Sequence, residues 1–136
     1  MNAWTKSFVG SILMTVLIGL SGLAWAGPMD GSRPFVCAVT AIMECAATGT
    51  CERHIAADET APAILKVDVP GRTVATGTAR TSPIKSVTRL DGQLILQGNE
   101  NGRGWSATID EDTGGMAVAI VDNDYTFSLF GACTLP

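Results

Sequence analysis

The chain has 136 residues, 46% of them hydrophobic and 16% charged, with nine Lys or Arg against 13 Asp or Glu and a single histidine. This is room for one or two layers around one core, and too little for two independent domains. The acidic excess and the lack of any basic run argue against a surface that tracks phosphates, so neither nucleic acid nor an anionic membrane is an expected partner.

The N-terminus reads as an export address. Lys6 supplies a short positive region, "FVGSILMTVLIGLSGL" (8–23) is apolar, and Ala24-Trp25-Ala26 puts small residues at the two positions a signal peptidase reads. Residues 1–26 are therefore expected to be a signal peptide cut after Ala26, giving a periplasmic or secreted protein with no membrane attachment once cleaved. The alternative is an uncleaved anchor, because residues 8–26 would just cross a hydrocarbon core of roughly 30 Å. Glycines and serines interrupt the stretch and a cleavage site ends it, which favours removal. Residues 27–136 then form a single β domain whose net charge, without Lys6, is −5.

Four cysteines, Cys37, Cys45, Cys51 and Cys133, lie beyond the leader, in a setting where disulfides form and persist. "FVCAVTAIMEC" (35–45) alternates, which predicts a strand with Phe35, Cys37, Val39, Ala41, Met43 and Cys45 on one face. At about 3.3 Å per residue, Cys37 and Cys45 would stand roughly 26 Å apart and could not pair. Cys45 can reach Cys51 across "AATGT", where Gly49 permits a reversal, and this leaves Cys37 for Cys133. A zinc site of Cys37, Cys45, Cys51 and His54 is the competing arrangement. Its gaps of seven, five and two residues do not match the C-x2-4-C pairs that structural zinc sites use.

"CERHIAADET" (51–60) is read as one or two helical turns before Pro62, with His54 a solvated helix residue. "ILKVDV" (64–69) alternates as a strand and ends at Pro70-Gly71, and "TVATG" (73–77) is a weaker one. "IKSVTRL" (84–90) runs into Asp91-Gly92, a tight-hairpin signal, and "QLILQG" (93–98) returns from it. The glycine-rich "GNENGRG" (98–104) would need a helix after it to act as a phosphate loop. Residues 104–110 have strand periodicity instead, so Asn101-Gly102 is read as a second hairpin turn. Asn99, Glu100, Asn101 and Arg103, displayed around that tip, are the candidate binding residues; Arg103 leads because a guanidinium engages a carboxylate through two bonds.

"GWSATID" (104–110) places Trp105, Ala107 and Ile109 on the inward face. Asp110, Glu111 and Asp112, like Asp58 and Glu59, read as solvated carboxylates, and "DEDTGG" lacks the ligand spacing of a calcium loop. "MAVAIV" (116–121) is apolar throughout, and "YTFSLFGAC" (125–133) sets Tyr125, Phe127 and Leu129 on a common face. The expectation is an all-β fold: a small antiparallel barrel or sandwich of about seven to eight strands with one short helical segment, tied by two disulfides.

Together "FVCAVTAIMEC", "DGQLILQGNENGRGWSATIDEDTGG" and the terminal "FGACT" resemble a family of small exported bacterial proteins of uncharacterised function. The likeness covers nearly all of residues 27–136, and its most specific parts are the LQG-x-E-NGR-x-W and FGAC blocks. It implies a bacterial envelope or secreted setting and assigns no activity, cofactor or site residue. One histidine, oxidised cysteines and no nucleophile motif lead to a non-enzymatic expectation without cofactor or metal. The expected role is a binding or inhibitor-like module whose partner is another envelope or extracellular protein. The alternatives are a carrier of a small apolar ligand inside a β-barrel and, less favoured, a hydrolase.

Overall fold

The computed structural model describes residues 29–55, 62–77 and 80–136. The expected signal peptide, the carboxylates Asp58 and Glu59, and residues 56–60 of the expected helical stretch lie outside the described residues.

Alternation and turn chemistry produce nine strands: β1 (Phe35–Ala46), β2 (Cys51–His54), β3 (Ile64–Asp68), β4 (Thr73–Thr76), β5 (Arg80–Leu90), β6 (Gln93–Glu100), β7 (Arg103–Asp110), β8 (Gly115–Val121) and β9 (Tyr125–Thr134). From β3 to β9 each strand pairs antiparallel with the next, while β1 pairs with both β3 and β9. Eight strands thus close into a barrel, which leaves no free sheet edge along the closed wall. The ninth, β2, folds back on the last part of β1, with Ile42 opposite His54 and Cys45 opposite Cys51. β2 and β3 share one edge of β1, since β9 occupies the other.

Asp91-Gly92 and Asn101-Gly102 make the two expected hairpins. Their φ angles are 51° and 76°, and 50° and 79°, the paired positive values that a two-residue turn between right-twisted strands requires.

Two expectations are corrected. The first concerns β1, whose register with β9 shifts between Val39 and Ala41. One extra residue at such a bulge reverses the alternation beyond it. Phe35, Cys37 and Val39 face the core as expected, but the next inward residue is Ile42, only 2% exposed, and not Ala41, Met43 or Cys45. The second concerns the short helical segment, for the described residues contain no helix. Cys51–His54 is strand β2: the turn through Gly49 and the bond from Ala46 N–H to Thr50 O bring this polar tetrapeptide onto the β1 ladder, and backbone pairing overrides its pattern.

Cys37 is bonded to Cys133 and Cys45 to Cys51, each bridge joining residues directly opposite in adjacent strands. The first lies across the β1–β9 seam that closes the barrel, with Cys37 fully buried. Bridges of this kind persist in oxidising compartments.

Inward residues from every barrel strand form the core. At one end it is solid. Met29 packs there with its N–H bonded to Glu111 O at 2.8 Å, and Phe35 and Leu94 are 1% and 0% exposed. The other end receives the β6–β7 and β8–β9 turns.

Candidate functional site

Eight strands enclose a lumen just wide enough to be filled by side chains or to hold one small ligand. Here part of it is left open, because several inward positions carry small residues: Ala107 on β7, Ser82 on β5 and, beside them, Gly98 on β6. The result is a cavity of about 380 Å³, toward the lower end of the range of roughly 300–1,000 Å³ typical of small-molecule sites. Its deeper wall is apolar, including Leu65, Leu96, Met116, Val118 and Leu129, and its outer part is bounded by Pro62, Thr76, Arg80, Glu100, Asn101 and Arg103.

Trp105 is fixed on two sides and open on a third. It stands opposite Gly98 in the β6–β7 ladder, and its ring lies so close that a Cβ built on Gly98 would come within 2.4 Å of Cζ2. Its indole N–H donates to Ser82 Oγ at 2.8 Å. The remaining surface of the ring lines the cavity. Ser82 is the one buried polar residue among those described, at 7% exposure.

The rim is charged but internally balanced. Arg103 donates from Nε to Asp122 Oδ2 at 3.1 Å, and its guanidinium stands 5.7 Å from the centre of the Phe127 ring. The Asp122 carboxyl is held below its ordinary range, chiefly by backbone N–H groups of Asp124 and Tyr125 and then by Arg103. Arg80 and Glu100 approach to 3.8 Å, a loose exposed contact of little energetic weight. Outside the cavity lining, His54 Nε2 lies 3.0 Å from Glu44 Oε2. The approach misses hydrogen-bond geometry, and this buried nitrogen has no hydrogen-bond partner among the described residues.

The sequence-derived binding residues divide. Glu100, Asn101 and Arg103 stand on the mouth of the cavity, whereas Asn99 points outward and is exposed. Of the acidic run 110–112, Asp110 and Glu111 are bound up in structure at the opposite end, and Asp112 is exposed. Asp110 Oδ1 accepts from Thr113 N–H and Oγ1–H, both at 2.7 Å, and Glu111 forms a two-bond pair with Arg89 at 2.7 and 3.0 Å. Sequence reasoning missed Ser82 and Arg80. The alternation of Arg80, Ser82 and Ile84 through "RTSPI" was the available signal, obscured by Pro83 in the middle of the strand. Comparisons of the chain with models of known families, with curated proteins and with solved structures find no match.

Proposed function

We propose that this protein binds a small, largely apolar molecule inside its barrel and acts as a carrier or scavenger, without turnover, in the bacterial periplasm or outside the cell. The observation that carries the reading is the cavity itself. A lumen whose walls are apolar and whose few polar groups converge at one side and at the mouth has the composition of a ligand pocket. Hairpin-tip recognition of a protein partner is less well supported by the geometry, since Glu100 and Arg103 turn toward the lumen and Arg103 is engaged by Asp122. The export setting rests on the apolar leader with its A-x-A site, on the two disulfides, and on the resemblance of the LQG-x-E-NGR-x-W and FGAC blocks to small exported bacterial proteins.

The test is organic extraction and mass spectrometry of the protein purified natively from its exporting cells. A stoichiometric small molecule, absent from a parallel preparation of Ala107→Phe, is the expected outcome. Empty protein that instead captures a macromolecular partner on crosslinking, with capture lost in Arg103→Ala, would return the function to the hairpin tip.

A further inference from the structure

The geometry points to a definite ligand class for the barrel cavity: an uncharged molecule with a flat ring system and one hydrogen-bond-accepting oxygen, its ring against Trp105 and its oxygen on the Ser82 hydroxyl. The inference rests on the carrier reading and adds to it what the ligand must carry.

Ser82 is the anchor. A serine hydroxyl has one hydrogen to donate and lone pairs to accept with. Ser82 Oγ accepts from the Trp105 indole, and among the described residues that is its only side-chain hydrogen bond. Its own O–H is therefore left to donate. The residue is 93% removed from solvent by burial, at 7% exposure, and it lines the cavity. Leaving a buried donor unmade is costly, so a ligand acceptor in the cavity meets a group already held in place. A ketone, ether or ester oxygen suits it. A carboxylate does not, because the anion would sit in an apolar wall with one neutral donor and no buried cation beside it, and desolvation would oppose it. The rim arginines stand at the mouth, outside that wall, and Arg103 is already engaged by Asp122.

Trp105 is the platform. With its edge on Ser82 and its ring against Gly98, it is oriented before any ligand arrives, so little ordering is lost on binding. An aromatic wall favours offset stacking with another flat ring. The volume of about 380 Å³ accommodates a two- or three-ring compound and is too small for a two-chain lipid.

The test uses two compounds of one shape, 2-acetylnaphthalene and its hydrocarbon isostere 2-isopropenylnaphthalene, titrated into the full-length protein by calorimetry. A dry apolar pocket would favour the hydrocarbon, because the ketone leaves water at a cost. The expected result is that the ketone binds at least as tightly. Ser82→Ala should weaken ketone binding relative to the hydrocarbon by about three- to tenfold, the effect of one buried hydrogen bond, while Trp105→Phe should weaken both compounds together and keep the ketone preference. Hydrocarbon binding tighter than ketone binding in the wild type would overturn the anchor and leave the carrier reading standing. Failure of both compounds to bind the wild type would overturn the ligand class inferred here, while a small molecule released on native extraction would still uphold the carrier reading. The wild-type comparison needs no variant, so it holds even if Ser82→Ala folds poorly.

Discussion

At the residue scale, Gly98 and Asp110 carry the sharpest expectations. A Cβ on Gly98 would meet Pro83 O at 2.3 Å and the Trp105 ring at 2.4 Å. Gly98→Ala must therefore push the indole off the β6 wall or spread β5 from β6. Overpacking of this kind costs about 1–3 kcal/mol, which thermal denaturation will register. The same variant should shift Trp105 emission, read as the difference from a Trp105→Phe protein because the chain holds three tryptophans. Asp110 is held below its ordinary value of 3.8, first by the Thr113 backbone N–H and then by the Thr113 hydroxyl. A carboxyl whose pKa is depressed on folding contributes stability that is present above the unfolded value and lost as pH falls through the folded one. The melting temperature of the wild type should thus fall more steeply from about pH 5 to about pH 2 than that of Asp110→Asn; parallel curves would show that the turn does not depend on the charge.

At the element scale, the disulfides differ in what they constrain. Cys37–Cys133 joins residues 96 apart and lies on the seam that closes the barrel, whereas Cys45–Cys51 spans six and ties β2 to β1. In the loop-entropy account the long bridge contributes about 4–5 kcal/mol and the short one about 2 kcal/mol. Replacing both members of the first pair by serine should lower the melting temperature clearly more than replacing the second pair; the reverse order would mean that β2 is the stronger support. What the sequence made legible at this scale was local. Asp91-Gly92 and Asn101-Gly102 announced their hairpins through the positive φ they need, and alternation placed Trp105, Ala107 and Ile109 inward. The bulge in β1 left no such trace, because an extra residue shows only against the register of its partner β9. Nor did "CERH" read as a strand, since one cysteine and three polar residues carry no period and their pairing comes from β1.

At the scale of the whole molecule, two features were beyond a linear reading. Closure depends on β1 meeting both β3 and β9, a contact between chain ends that no window contains; the cysteine arithmetic was the one hint, since it fastened the first strand to the last. The cavity is a shortage of side-chain volume, and Ser82, Gly98 and Ala107 become neighbours only when β5, β6 and β7 line up. The mouth was partly legible, because a hairpin tip displays its charges wherever it sits, and so Glu100, Asn101 and Arg103 were found while Asn99 fell on the outer face. Three small residues together leave room in a lumen that eight strands would otherwise fill, and the central claim is that this room is a binding site. The most direct measurement is a fluorescence titration with N-phenyl-1-naphthylamine, which brightens in apolar surroundings, against the wild type and against Ala107→Phe, whose phenyl ring would stand in the cavity. Saturable binding by the wild type, weakened at least about tenfold in a folded Ala107→Phe protein, is the result expected. Equal binding by the two proteins, or none by the wild type, would contradict it.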